Sequence, residues 1–320
     1  MATSMMAGRA AELRGRRVSF VSATVVRAER PTSAKPGDTA IVLADGTIEG
    51  FVGGACAETS VRAQALSCLA AGESVLLRIV PDTESDSGGD PVGVTTVANP
   101  CLSGGTLEIF LEPVVPPALV YTIGSSPIAL ALSRGAGSFG FDLRLVDELP
   151  DPLPDDTAAV VVASHGRGEE AALTAALSAD VPYIGLVASR RRAAAVLETL
   201  QSTHRFCGGH TDRIHTPAGL DLGAETPEEV AISILAQIVA ERPRRARTTD
   251  DEGSTAAATA TTDEPSASGA ATAVDPVCGM TVAAVPASLQ VEHNGETVYF
   301  CGPGCVQAFT ANPDQYQSSN

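Results

Sequence analysis

Short apolar runs, cut off by Gly, Pro or Asp, predict a series of strands in the first part of the chain. They fall at Val18–Val26, Thr39–Leu43, Thr47–Val52, Val75–Val80 and Thr106–Leu111. Asp45-Gly46, between the second and third runs, is a hairpin signal, because both residue types tolerate the left-handed backbone of a tight turn. A helix is expected from about Ala57 to Ala71, and residues 82–98, rich in Asp, Gly and Ser, read as a loop. Pro113, Pro116 and Pro117 punctuate a boundary. Beyond it, strand and helix patterns alternate. Strands are predicted at Ala118–Ile123, Asp142–Val146, Ala158–Ala163 and Tyr183–Val187, and helices at Pro127–Gly135, Glu169–Leu177 and Arg190–Leu200. Thr226-Pro227-Glu228-Glu229 opens a last helix with a capping hydroxyl, a proline at the first position and a glutamate that completes a capping box. Alternation of this kind predicts a parallel, Rossmann-like sheet.

Periodicity then stops. Residues 244–273 are an Arg-rich start followed by Ala, Thr, Ser, Asp, Glu and Pro, with no large apolar side chains to offset the entropy of ordering, and read as a disordered linker. The expected organisation is α/β throughout. A mixed N-terminal α/β domain occupies 1–115, a Rossmann-like parallel-sheet domain 116–243, the linker 244–273, and a small zinc-ribbon-like or TRASH-like metal-binding module 274–320.

Composition narrows the function classes. With 4% aromatics and no Trp, the cores must be built from Val, Leu, Ile and Ala. A net charge of -17, negative on both sides of the linker, disfavours attraction to a phosphate backbone, so no nucleic-acid partner is expected. Seven irregularly spaced cysteines fit reduced thiols better than a disulfide framework. The four arginines near the start accompany no apolar core of signal-peptide length, and no run suits a membrane span. The expectation is therefore a cytoplasmic protein without a membrane partner. A homo-oligomer is compatible with the sequence, which does not address it.

Several positions carry candidate chemistry. Cys56 lies between Gly53-Gly54 and the start of a helix, followed by Glu58. Glycines permit a sharp turn, and a helix start offers unpaired N–H groups and a positive dipole end that stabilise a thiolate or a bound anion. The same spacing suits a small thiol buried at a tight strand-to-helix turn. Cys101, ahead of Ser103-Gly104-Gly105, allows the same two readings, whereas Cys68 sits among Leu66 and Leu69 as a core residue. Gly124-Ser125-Ser126-Pro127-Ile128-Ala129 follows a strand and opens a helix, where a phosphate-binding turn belongs. It departs from the glycine fingerprint at Ser126 and Ala129. Asp147 follows at the spacing of a ribose-binding acid, and His165 ends a strand where doubly wound folds contact ligands. A dinucleotide, a phosphate or pterin nucleotide, and a purely structural turn all remain open there. Arg190–Arg192 open a helix, an unfavourable dipole placement that hints at an anion. Cys207-Gly208-Gly209-His210 has metal-like spacing without a second pair.

Gly50-Phe51-Val52-Gly53-Gly54-Ala55-Cys56-Ala57-Glu58, followed by Asn99-Pro100-Cys101-Leu102-Ser103-Gly104-Gly105, resembles the XdhC/CoxI accessory family. The likeness continues through Ser164-His165-Gly166, Tyr183–Arg190 and Pro217–Ala224, and Ala55 before the cysteine looks closer to the CoxI-like branch. The resemblance implies a factor that binds molybdenum cofactor (molybdopterin) and supports its sulfuration with a cysteine desulfurase. It further implies delivery to a xanthine- or CO-dehydrogenase-type molybdenum hydroxylase client. The implied cofactor-binding set is Gly53, Gly54, Cys56, Glu58, Cys101, Gly124, Ser126, Asp147 and His165, with no catalytic residue.

The tail motifs Asp275-Pro276-Val277-Cys278-Gly279-Met280, His293-Asn294-Gly295 and Tyr299-Phe300-Cys301-Gly302-Pro303-Gly304-Cys305 resemble the YHS metal-binding module. Cys301 and Cys305 can face one ion, Cys278 can join them, and His293 or Met280 is expected to complete the shell. Three thiolates favour a soft or borderline ion such as Cu or Zn. The fusion suggests a tail that supplies or senses copper, since CO-dehydrogenase-type clients are implied to carry copper beside molybdenum. The favoured reading is thus a maturation factor rather than an enzyme. The alternatives are an NAD(P)-dependent oxidoreductase, with His165 as its proton donor, and a metal-buffering or metal-sensing protein.

Overall fold

A computed structural model of the protein describes residues 2–81, 90–99, 105–203, 211–242 and 271–316. It divides into two compact units, Met1–Pro116 with Arg245–Asn320, and Pro117–Arg244.

The first unit is built on a six-stranded mixed sheet, with strands β1 (Phe20–Glu29), β2 (Thr39–Leu43), β3 (Ile48–Gly50), β4 (Val75–Pro81), β5 (Val94–Asn99) and β6 (Thr106–Val114) in the order β3-β2-β1-β6-β4-β5. Period-two alternation sorts its side chains. Val21, Ala23 and Val25 of β1, with Ala40 and Val42 of β2, face a helix α2 (Ala55–Ala71) that contributes Ala57, Val61, Ala65 and Cys68. Phe20 and Ile41 point the opposite way and bury Leu13 of a helix α1 (Ala2–Gly15). That helix has no strong apolar stripe, and no pattern in the sequence announced it. The segment 82–98, expected to be loop, needs correction at its end. Val94–Asn99 is a strand, held parallel to β4 with Leu76 opposite Val94 and Pro81 opposite Asn99.

The second unit is a five-stranded, fully parallel sheet. Its strands are β7 (Ala118–Ile123), β8 (Phe141–Val146), β9 (Thr157–Val162), β10 (Tyr183–Leu186) and β11 (Ile214–His215), in the order β11-β10-β9-β7-β8. Both faces are covered. Leu119, Tyr121 and Ile123 pack with Val160 and Val162 under helices α4 (Glu169–Ser178) and α5 (Arg190–Thr203). Val120, Ala159 and Val161 pack under α3 (Pro127–Gly135) and α6 (Pro227–Glu241). Burial on both sides explains why these strands read as unbroken apolar runs. The capping box at α6 forms as expected: Thr226 Oγ1 accepts from Glu229 N, and the Glu229 carboxylate accepts from Thr226 N at 3.0 Å.

The Cys-rich tail belongs to the first unit. Strands β12 (Thr272–Val274) and β13 (Thr281–Ala283) form one hairpin, and β14 (Leu289–His293) and β15 (Glu296–Phe300) a second. A helix α7 (Pro303–Ala311) follows. The module begins slightly earlier than expected, because Thr272 is already paired with Ala283. The rest of the expected linker, 244–270, lies outside the described residues.

Candidate functional site

Three places hold the candidate residues. The first is the start of α2. Gly53 takes φ +141°, and a Cβ there would lie 2.9 Å from the Ala57 Cβ. Gly53 therefore serves the turn and close packing against Ala57. Gly54, the N-cap, has nothing within 4 Å of a Cβ position, so the space over it is open. No side chain caps this helix. Its first turn presents Cys56, which is half-buried and not in a disulfide, and Glu58. Cys68, in the last turn of the helix, is core, and burial pushes its thiol up to about 11. Cys101 and the Cys207–His210 motif lie outside the described residues.

The second place is the carboxyl edge of the parallel sheet. The strand order reverses between β7 and β9, the switch point at which open parallel sheets receive ligands. Gly124 ends β7 with φ +101°, and a Cβ there would lie 2.5 Å from the Ser164 Cα at the end of β9. Only glycine fits between these strand ends. Gly124 N donates to Val146 O at 3.3 Å, so exposed Asp147, the next residue, stands at the same edge. Exposed His165, in the left-handed region at φ +53°, follows Ser164. Sequence spacing thus named residues that the fold gathers at one edge: Gly124, Ser126, Asp147 and His165. Ser126 is 3% exposed, and its hydroxyl is committed to α3, accepting from Ala129 N at 3.1 Å. Ser164, not anticipated, is 4% exposed with a hydroxyl that has no partner among the described protein atoms. The arginines of α5 have a structural explanation in part. Arg192 donates to buried Glu169 at 2.9 Å, whose other oxygen accepts from Gly166 N at 2.7 Å.

The third place is the tail. Its first hairpin closes with Asp275 N donating to Met280 O at 2.9 Å, which exposes Cys278 at the tip. The second hairpin ends at Cys301, and Cys305 follows on the first turn of α7. The sulfurs of Cys278 and Cys301 are 3.4 Å apart, and those of Cys301 and Cys305 are 3.6 Å apart. One ligand atom from each of Asp275, Cys278, Cys301 and Cys305 lies within 4.8 Å of all the others. Thiolates around a zinc-sized ion bonded at about 2.3 Å stand a little under 4 Å apart, so this donor set fits a metal.

His293, expected as a ligand, is not among these groups. It pairs with Glu296 at the far end of the β14–β15 hairpin from Phe300, a separation of about four residues at roughly 3.3 Å each. Its ring packs edge-on against Phe309 at 5.4 Å. Met280 is buried core, 7% exposed. The missed group is Asp275, 0% exposed, whose two oxygens accept from Val277 N at 2.9 Å and Cys301 N at 2.8 Å. Burial opposes its charge, but these N–H bonds outweigh that and hold the carboxyl below its ordinary value. Burial, helped by this carboxylate, raises the Cys301 and Cys305 thiols, the latter to about 12. A ligand-spacing search over His and Cys alone passes over such an aspartate.

These features define a two-unit α/β protein in which a thiol-bearing helix start and a cysteine knuckle share one unit. Family models match at residues 13–80 (XdhC and CoxI family), 120–238 (XdhC Rossmann domain) and 273–319 (YHS domain). The chain belongs to the XdhC and CoxI family, with an XdhC Rossmann domain and a C-terminal YHS domain.

It is 28% identical over 254 residues to the uncharacterized protein YqeB of Escherichia coli strain K12, covering 72% of this chain and 45% of that protein. It is 26% identical over 165 residues to a probable xanthine dehydrogenase subunit from Bacillus subtilis strain 168, covering 43% of this chain and 47% of that one. The chain thus spans about half the length of these curated relatives. A crystal structure of a xanthine dehydrogenase from Bacillus halodurans aligns over 78% of this chain and 98% of its own, at 18% identity and a TM-score of 0.35. Among the described residues, no helix is long and apolar enough to cross a membrane.

Proposed function

We propose that the protein is an accessory factor in the maturation of a molybdenum hydroxylase, binding molybdenum cofactor at the start of α2 and aiding its sulfuration and insertion. The observation that carries this reading is Cys56, half-exposed on the first turn of a helix that has no side-chain cap, with open space over Gly54. The N–H groups and positive dipole end of that turn suit the anionic phosphate of such a cofactor, and the thiol suits its metal or transferred sulfur. Family membership and the xanthine dehydrogenase name of one relative support a client of that class; a cysteine desulfurase is the second partner in this reading. In this reading the protein is not an enzyme, and the tail knuckle holds a soft ion, copper in particular, for the same client.

The test is purification from a molybdenum-replete host, with pterin, molybdenum and nucleotide measured in one sample. The wild-type chain is expected to carry pterin and Cys56→Ser to lose most of it. Pterin-free wild-type protein overturns the reading.

A second reading is favoured by Ser164, whose buried hydroxyl lacks a partner beside Gly124 at the switch point. A nucleotide could bind there, NAD(P) included. Titration with NAD(H) and NADP(H) tests it; binding accompanied by turnover would favour an oxidoreductase.

A further inference from the structure

The tail module lies directly on the start of α2. Thr59, 6% exposed, donates its hydroxyl to the Cys301 carbonyl at 2.8 Å. Cys56 is three residues earlier on that helix, and so on the same face. Its sulfur lies 4.0 Å from the position a Cβ on Gly302 would take, and Gly302 joins Cys301 to the helix that carries Cys305. On the flank, Val285 packs over Gly46, and Arg62 Nε donates to Gly46 O at 2.8 Å. A fourth thiol therefore stands against the turn that carries two members of the three-thiol cluster, outside the group whose ligand atoms lie within 4.8 Å of one another.

We propose that Cys56 is the exchange thiol of the tail site, and that Cu(I) passes from Cys278, Cys301 and Cys305 to a set made of Cys56, Cys301 and Cys305. Cu(I) is the ion the donors favour. Three soft thiolates suit it, while both oxygens of Asp275 are already engaged by backbone N–H groups. Exchange needs an entering ligand next to the ion before another leaves. The bond from copper to Cys56 forms as the bond to exposed Cys278 breaks. Cys56 gives its thiol proton to water, Cys278 takes one from water, and copper stays Cu(I) with no electron moved. The face that would hold cofactor at Cys56 is then also where the tail delivers its ion.

This inference rests on the tail holding a soft ion, and the experiment separates the two. The full chain is loaded anaerobically with one equivalent of Cu(I), and alkylation of each cysteine is followed by peptide mass spectrometry. Loading is expected to slow alkylation of Cys56 at least about tenfold, because a metal-bound thiolate is a poor nucleophile. Val285→Asp, which should loosen the docked module, is expected to bind copper in the same ratio without protecting Cys56. Release of Cu(I) to a chelator is expected to slow about tenfold in Cys56→Ser, since the entering ligand is lost. No retained copper overturns the tail reading itself. Copper retained with Cys56 alkylated at the metal-free rate, or released from Cys56→Ser at the wild-type rate, overturns the exchange.

Discussion

The hydroxyl of Thr59 and the carbonyl of Cys301, 242 residues apart in sequence, meet at 2.8 Å in a buried hydrogen bond. The bond ties the N-terminal part of α2 to the backbone of a knuckle cysteine, so movement of one is felt by the other. Thr59→Val keeps the shape and removes the donor, leaving a buried carbonyl unpaired at a cost of about 1–3 kcal/mol. Hydrogen exchange is expected to speed up at α2 and at Cys301–Cys305 together, with the parallel sheet unchanged. Faster exchange at α2 alone would contradict the coupling.

Much of the second unit was legible because its signals are local. Ala118–Ile123 and Tyr183–Leu186 are apolar on both faces, and Thr226 with Glu229 writes a helix start in four residues. The first unit was less so. β5 is defined by pairing with β4, and its Thr95-Thr96 interrupts any apolar run. α1 is carried by Leu13 on Phe20 and Ile41, a packing relation rather than a stripe. In the tail, spacing announced the three cysteines but not Asp275, whose part depends on N–H groups brought together by two hairpins. His293 was misplaced for the converse reason, since hairpin register separates it from Cys301.

Gly124 and Ser164 should respond in opposite directions. Gly124→Ala forces φ +101° on a residue with a side chain and sets its Cβ 2.5 Å from the Ser164 Cα. A loss of about 2–4 kcal/mol is expected, from backbone strain plus overpacking. Ser164→Ala removes a buried hydroxyl without a protein partner, and is expected to leave stability unchanged or to raise it by about 1 kcal/mol. Thermal melts of the full chain, read alongside exchange at β7 and β9, check both. If Ser164→Ala instead lowers stability, a partner for that hydroxyl exists.

Buried Glu169 ties the His165–Gly166 turn to α5 by accepting from Gly166 N and from Arg192. Arg192→Met leaves a carboxylate 3% exposed without its cation. Removing one partner of a buried pair costs about 3–5 kcal/mol, and the exposure of Arg192, 37%, places the expected loss at or below the lower end. Glu169→Gln in the Arg192→Met background is expected to recover part of it, because the uncompensated charge is gone. A double variant no more stable than Arg192→Met would show that the charge was not the cost.

Metal loading of the tail should depend steeply on pH. Burial and the Asp275 carboxylate raise the Cys301 and Cys305 thiols, so both carry protons near neutrality in the metal-free chain. An ion must displace those protons, and the apparent affinity falls as the solution becomes more acidic. With two such thiols among three thiolate ligands, the logarithm of the Cu(I) affinity is expected to rise by at least about two per pH unit through the neutral range. The slope should flatten only as pH approaches the raised thiol values. Asp275→Asn removes the charge that raises these thiols, but its amide cannot accept at both positions, so one of the Cys301 and Val277 N–H groups loses its partner. The expected result is a slope that flattens at a lower pH than in the wild type, together with weaker binding at high pH, where protons no longer compete. Competition titrations of the full chain across pH measure both quantities. A variant that changed neither would leave Asp275 without a part in the knuckle.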